Sequence, residues 1–160
     1  MISTPNSPDA PLQVTPAGTP SSAKLSVIGF YGLAVIFNLC LVAQMTTVGL
    51  AEFHNPVWWN AHVALVRAYS GLSLILLLWV FGPPFSRRIR ILTVSLPLLL
   101  GIQFLSMHLQ IPLPLPLAVV HPLVGFVLFS VSTTLVHRVS NLVPLPFGCD
   151  ATNPKTANPN

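Results

Sequence analysis

Four long apolar stretches, separated by short polar or proline-containing segments, dominate the pattern of this sequence. They cover about residues 25–50, 57–81, 91–109 and 117–136. A membrane-spanning helix needs about 20 mainly apolar residues, with a range of about 17 to 25, so each stretch is long enough to cross a bilayer. Short connections favour antiparallel neighbours. The pattern predicts an all-α, integral membrane four-helix bundle of up-and-down topology over residues 24–138.

The composition supports a membrane protein and excludes several other classes. The chain is 52% hydrophobic and only 6% charged, whereas a soluble domain carries about 25% charged residues. It has no basic run interleaved with aromatic residues, so we expect no nucleic-acid binding. It also has no Walker loop, GxSxG or HExxH motif, so hydrolytic or nucleotide chemistry has no support. We expect no enzymatic activity of its own.

Both ends of the chain are rich in proline and small polar residues. Residues 1–23 contain five prolines and a single charged residue, Asp9, and residues 139–160 are similar in kind. Such segments cannot bury enough apolar surface to fold. The sequence therefore predicts a disordered N-terminal arm and a disordered C-terminal tail.

Most of the basic residues flank the predicted helices on one side of the bundle. Five of the seven Lys and Arg residues do so: Lys24, Arg87, Arg88, Arg90 and Arg138. The first and third interhelical loops carry no Lys or Arg. The positive-inside rule then places both termini in the cytoplasm. We expect an integral protein of the bacterial cytoplasmic membrane.

Two glutamine–histidine pairs stand out among the apolar residues. His62 follows Gln44 by 18 residues, and His121 follows Gln103 by the same spacing. With a rise of about 1.5 Å per residue, all four side chains lie about 8–9 Å below the outer boundary of the bundle. The two hairpins align at an offset of 59 residues, which suggests a parallel internal repeat. Polar groups at membrane depth are costly and usually mark a site.

This polar layer has several interpretations. If helices two and four oppose each other, His62 and His121 could ligate haem b from both sides, with Gln44 and Gln103 as hydrogen-bonding partners. Alternatively, each glutamine bonds the neighbouring histidine and merely holds a hairpin together. A proton path, or a chlorin held by one histidine, is a further alternative.

The start of helix four affects this interpretation. Proline is favoured at the first helical position, so a start at Pro122 would make His121 a surface cap. That start would leave only about 16 residues for the span, and we therefore expect the helix to begin near Leu117.

Arg67 is the only charged residue within a predicted helix. It could pair with Glu52, contact a haem propionate, or extend its guanidinium toward the membrane surface. His54 and His108 lie near the outer boundary, where we expect solvated side chains rather than a metal site.

These residues resemble one half of haem A synthase. That family repeats a four-helix membrane unit with histidines on its second and fourth helices near the outer face, the placement of His62 and His121 here. The pattern is also similar to a family of small bacterial four-helix membrane proteins with a histidine early in helices two and four. This chain has one such unit, whereas haem A synthase pairs a substrate bundle with a cofactor bundle.

The expected function is therefore that of a haem-binding membrane protein. It would be a small b-type cytochrome, or a cytochrome-like subunit that relays electrons within or to a membrane complex. His62 and His121 would be axial ligands, Gln44 and Gln103 their partners, and Arg67 a propionate contact. The alternatives are a cofactor-free accessory subunit and a (bacterio)chlorophyll- or carotenoid-binding subunit. Expected partners are the lipid bilayer and a larger complex or further copies of the chain.

Overall fold

The computed structural model of the protein describes residues 21–109 and 117–143. These residues form four α-helices and no strand, which confirms the all-helical prediction. The helices are α1 (Ser21–Phe53), α2 (Trp58–Trp79), α3 (Arg87–His108) and α4 (His121–Ser140), with a 3₁₀ turn at Leu117–Val120 before α4. Residues 1–20 and 144–160, where the sequence predicts disorder, lie outside the described residues.

The helix ends follow local chemistry rather than hydropathy alone. Helix α2 ends at Trp79, just before the Gly82-Pro83-Pro84 segment, since proline cannot continue a helix. Helix α3 begins at Arg87, earlier than the apolar stretch, because arginine is a good helix former. Helix α4 begins at His121 rather than near Leu117 as expected, because Leu117–Val120 form a 3₁₀ turn. Pro122 lies in the first turn of α4, where the missing N–H of proline costs nothing.

All four helices are long and apolar enough to cross a membrane. The 22 residues of α2 and of α3 give a length of about 33 Å, close to the hydrocarbon thickness of about 30 Å. Large apolar side chains cover the outside of the bundle, such as Leu78 at 77% exposure and Phe126 at 62%. A soluble bundle would turn such faces inward, so these outer faces suit contact with hydrocarbon.

The four helices are arranged in a ring. Each helix packs against two neighbours, in the order α1, α2, α3, α4 and back to α1, and the most extensive packing lies within the hairpins α1–α2 and α3–α4. Across the described residues, the diagonal pairs α1–α3 and α2–α4 make no close backbone approach. Helices α2 and α4 therefore face each other across the bundle interior.

The bundle interior repeats at the same offset of 59 residues as the two glutamine–histidine pairs. Every buried residue of α3 and α4 has a buried counterpart 59 positions earlier. The matched pairs away from the polar layer are Phe30 and Ile89, Ala34 and Thr93, Phe37 and Leu96, Leu41 and Leu100, Tyr69 and Leu128, Ser73 and Ser132, Leu76 and Leu135, and Val80 and Val139. The two hairpins thus pack as equivalent units, as expected for a pseudo-two-fold axis along the bundle.

One close contact joins α1 to the end of α2. The Trp79 indole lies against Gly29, where an added Cβ would come within 3.1 Å of the ring. The indole N–H also donates a 2.9 Å hydrogen bond to the Ser26 hydroxyl, which limits the freedom of the ring to move away. Gly29 is therefore required by packing, whereas a Cβ at Gly32 would meet nothing within 4 Å.

We predict that Gly29→Ala destabilises the bundle and that Gly32→Ala does not. Overpacking against a fixed ring costs about 1 kcal/mol or more, while alanine in open helix favours the helical state. Thermal unfolding in detergent, followed by circular dichroism, measures both variants. Equal stability of the two variants would contradict the assigned role of Gly29.

Candidate functional site

A layer of polar side chains lies inside the bundle near the α1–α2 and α3–α4 connections. In the first hairpin, Gln44 and Thr47 are buried on α1, and the half-buried His62 ring on α2 faces them. The Gln44 amide nitrogen lies 2.8 Å from His62 Nε2 and 2.9 Å from Nδ1. The Thr47 hydroxyl donates to the Gln44 carbonyl over 2.7 Å and lies 3.4 Å from His62 Nδ1.

These contacts bear on the tautomer of the His62 ring. The Thr47 hydroxyl donates its hydrogen to the Gln44 carbonyl, so the Thr47 oxygen can only accept from the ring, which favours a proton on Nδ1. The Gln44 amide nitrogen is within hydrogen-bond distance of both ring nitrogens and donates to Nε2 in that tautomer. Gln44, Thr47 and His62 form a closed hydrogen-bonded ring, and the Trp59 ring packs edge-on against the imidazole at 5.4 Å.

The second hairpin repeats half of this arrangement. The Ser106 hydroxyl donates to the Gln103 carbonyl over 2.8 Å and lies 3.2 Å from His121 Nδ1. His121 Nδ1 is also 3.3 Å from the Gln103 carbonyl oxygen, which can only accept. These contacts favour the tautomer of His121 that carries its proton on Nδ1, and no described residue donates to its Nε2.

The hairpins differ in the position of the glutamine amide. The Gln103 amide nitrogen lies over Gly125, 3.3 Å from where a Cβ would stand. The equivalent position on α2 is Val66, which carries a branched side chain. The Gln44 amide contacts its histidine, whereas among the described residues the Gln103 amide makes no hydrogen bond to His121.

Both glutamines carry an unused acceptor. Oε1 of Gln44 and Oε1 of Gln103 are buried and have no hydrogen-bond partner in the described part of the chain. Buried polar atoms normally have partners. Two equivalent unpaired oxygens in one layer therefore indicate a place that receives a hydrogen-bond donor.

The two imidazoles belong to one region of the bundle. His62 and His121 lie on the diagonally opposed helices α2 and α4 at equivalent positions of the repeat. The structure brings Gln44 to His62 and Gln103 to His121, each pair within its own hairpin.

The remaining polar residues do not join this layer. Arg67 and Glu52 are exposed, and the structure contains no ion pair between them. His54 and His108 are also exposed, with a His108 ring N–H donating to the Phe104 carbonyl. Within the described ranges, no group of three His, Cys, Asp or Glu side chains could hold a metal ion.

Thr47 and Ser106 were not predicted from the sequence. They stand 59 residues apart, like the two histidines, and each follows its glutamine by three positions, which is one helical turn. The feature that identifies them in the sequence is a hydroxyl group at the same position of both hairpins. Single Thr and Ser residues are common in membrane helices, so only the alignment of the two hairpins distinguishes them.

We predict that Thr47→Val changes the protonation of the His62 ring. Without the hydroxyl, Nδ1–H has no acceptor. We expect the ring to carry its proton on Nε2 instead, and to donate it to the Gln44 Oε1 after rotation of the amide group. Nitrogen-15 NMR of histidine-labelled protein distinguishes the two tautomers.

Thr46→Val is the matched control, because its exposed hydroxyl bonds only the Val42 carbonyl. An unchanged tautomer in Thr47→Val, or the same change in both variants, would refute the assignment.

Comparison with known proteins finds one partial similarity. Residues 44–109 match the model of a family of unknown function, DUF6220. No curated protein and no solved structure matches the chain significantly, so nothing links it to haem A synthase. The matched segment begins at Gln44 and contains Thr47, His62, Gln103 and Ser106. The chain is thus similar, over its central part, to a family whose function is not established.

Proposed function

We propose that this protein is a small b-type cytochrome, or a cytochrome-like subunit, that binds haem b between His62 and His121. The observation that carries the proposal is the repeated hydroxyl–imidazole contact, Thr47 with His62 and Ser106 with His121. Each contact holds the ring proton on Nδ1 and keeps Nε2 unprotonated. An Nδ1–H bonded to oxygen is the usual support of a histidine ligand that binds metal through Nε2.

The residues of the layer fit this group chemically. Two neutral imidazoles on opposed helices supply the pair of axial ligands of a b-type haem. The surrounding apolar side chains suit the macrocycle. Arg67 has an exposed side chain five residues after His62, so a propionate contact would lie at the periphery of the bundle.

The two sides of the site require different adjustments. His121 Nε2 is already free of protein donors in the described residues. His62 Nε2 accepts from the Gln44 amide, so ligation requires the Gln44 side chain to turn away. Bound haem would supply a one-electron redox centre. The chain itself would anchor the rings, exclude water with its apolar helices, and pass the electron to or from a partner membrane protein.

The proposal is tested by the visible spectrum of the full chain purified in detergent. We expect a Soret band, with sharp α and β bands on reduction, which are lost or shifted in both His62→Ala and His121→Ala. His54→Ala and His108→Ala are matched controls, because these histidines are exposed and outside the layer. A colourless protein, or spectra that do not change in the His62 and His121 variants, would exclude haem ligation by this pair.

Gln44 gives an independent prediction. Because its amide competes for His62 Nε2, Gln44→Leu should bind haem at least as well as the unmodified chain. A titration with haemin, followed by the Soret absorbance, measures this affinity. A loss comparable to that of His62→Ala would show that Gln44 supports the ligand directly and would reverse its assigned role.

One observation favours a cofactor-free accessory subunit instead. The closed ring of Gln44, Thr47 and His62 satisfies most of its own hydrogen bonds and joins α1 to α2 without any ligand. Such interhelical bonds contribute about 0.6 kcal/mol on average in membrane bundles. A colourless protein whose thermal stability falls in His62→Ala would support this function.

A further inference from the structure

An open groove lined mainly by residues with polar groups runs along α4 at the end of the bundle opposite the histidine layer. The groove has a volume of about 610 Å³. Its lining residues are Phe129, Ser130, Thr133, Thr134, His137, Arg138 and Asn141. Apart from Phe129, all of them are polar and exposed, unlike the apolar outer faces elsewhere on the helices.

The groove lies at the basic end of the bundle. In an up-and-down bundle this end holds the starts of α1 and α3 and the end of α4, where Lys24, Arg87, Arg88, Arg90 and Arg138 are located. The only acidic side chain among the described residues, Glu52, lies at the opposite end. No described carboxylate is therefore available to Arg138, and the groove is complementary to an anion.

The depth of the groove matches the upper part of a phospholipid. Arg138, His137 and Asn141 stand at the end of α4, at the level of the membrane interface if the helices span it. Ser130 is eight residues earlier, about 12 Å deeper along the helix. The hydroxyls of Ser130 and Thr134 donate to carbonyls of their own helix, and the Thr133 hydroxyl donates to Asn38 Oδ1 over 3.2 Å. These oxygens keep the groove polar to the depth of the ester groups.

We infer that this groove binds one anionic phospholipid, with its phosphate between Arg138 and His137. The Arg138 guanidinium matches a phosphate with two parallel hydrogen bonds, and the His137 ring and the Asn141 amide provide further donors. The glycerol and ester groups lie along Thr133 and Thr134, and an acyl chain packs against Phe129. Basic pockets at the interface of membrane helices bind such headgroups. The inference rests on membrane placement and is independent of haem binding.

The test uses the full chain in detergent and follows its thermal unfolding during titration with phosphatidylglycerol or phosphatidylcholine of the same acyl chains. A ligand that binds only the folded state raises the unfolding temperature. We expect phosphatidylglycerol to raise it and phosphatidylcholine to have little effect. In Arg138→Gln the half-saturating phosphatidylglycerol concentration should rise by about tenfold or more, because the two charge-assisted hydrogen bonds of the guanidinium are lost. Arg138→Lys should retain an intermediate affinity.

Arg88→Gln is the matched control, because it removes the same charge from an exposed position on α3, away from the groove. An equal loss in Arg88→Gln and Arg138→Gln would mean diffuse attraction to the basic end and would overturn the site. An equal effect of phosphatidylcholine would exclude recognition of an anionic headgroup. If inorganic phosphate reproduced the full shift, the groove would bind free anions instead of lipid. A dimer that dissociates in Arg138→Gln would identify the groove as a subunit interface.

Discussion

The organisation of this protein depends on hydrogen bonds made by the polar side chains inside a bundle whose outer faces are apolar. Hydrocarbon offers no hydrogen-bond partner, so a buried polar group must find one within the bundle or remain unpaired. Thr47 and Ser106 satisfy this constraint by donating to the carbonyl one turn earlier and presenting their oxygens to a histidine. The same bonds join each hairpin and set the protonation of its imidazole. The contacts that hold each hairpin together are therefore also the contacts that prepare its histidine.

The repeat of 59 residues explains why the site has two similar halves and where they differ. Every buried residue of the second hairpin has a buried counterpart in the first, so both histidines reach equivalent places on opposed helices. The two halves differ at Val66, which Gly125 replaces in the second hairpin beside the Gln103 amide. They also differ in the glutamine, because only the Gln44 amide contacts its histidine ring.

Much of this fold was accessible from the sequence. The four apolar stretches predict four helices, and the spacing from Gln44 to His62 and from Gln103 to His121 places these residues in one layer. The hydroxyl partners were not predicted, because Thr47 and Ser106 are ordinary residues until the hairpins are aligned. The orientation of the glutamine amides could not be predicted either, since it depends on the space beside Val66 and Gly125. The early start of α3 shows that hydropathy marks the apolar span rather than the helix.

The central claim is that one haem iron is held by two histidines, one from each hairpin. The most direct measurement is the electron paramagnetic resonance spectrum of the oxidised protein purified with its native content. A single low-spin ferric signal, replaced by a high-spin signal in either His62→Ala or His121→Ala, is the predicted result. A protein without a ferric signal, or one whose low-spin signal survives both substitutions, would contradict the claim.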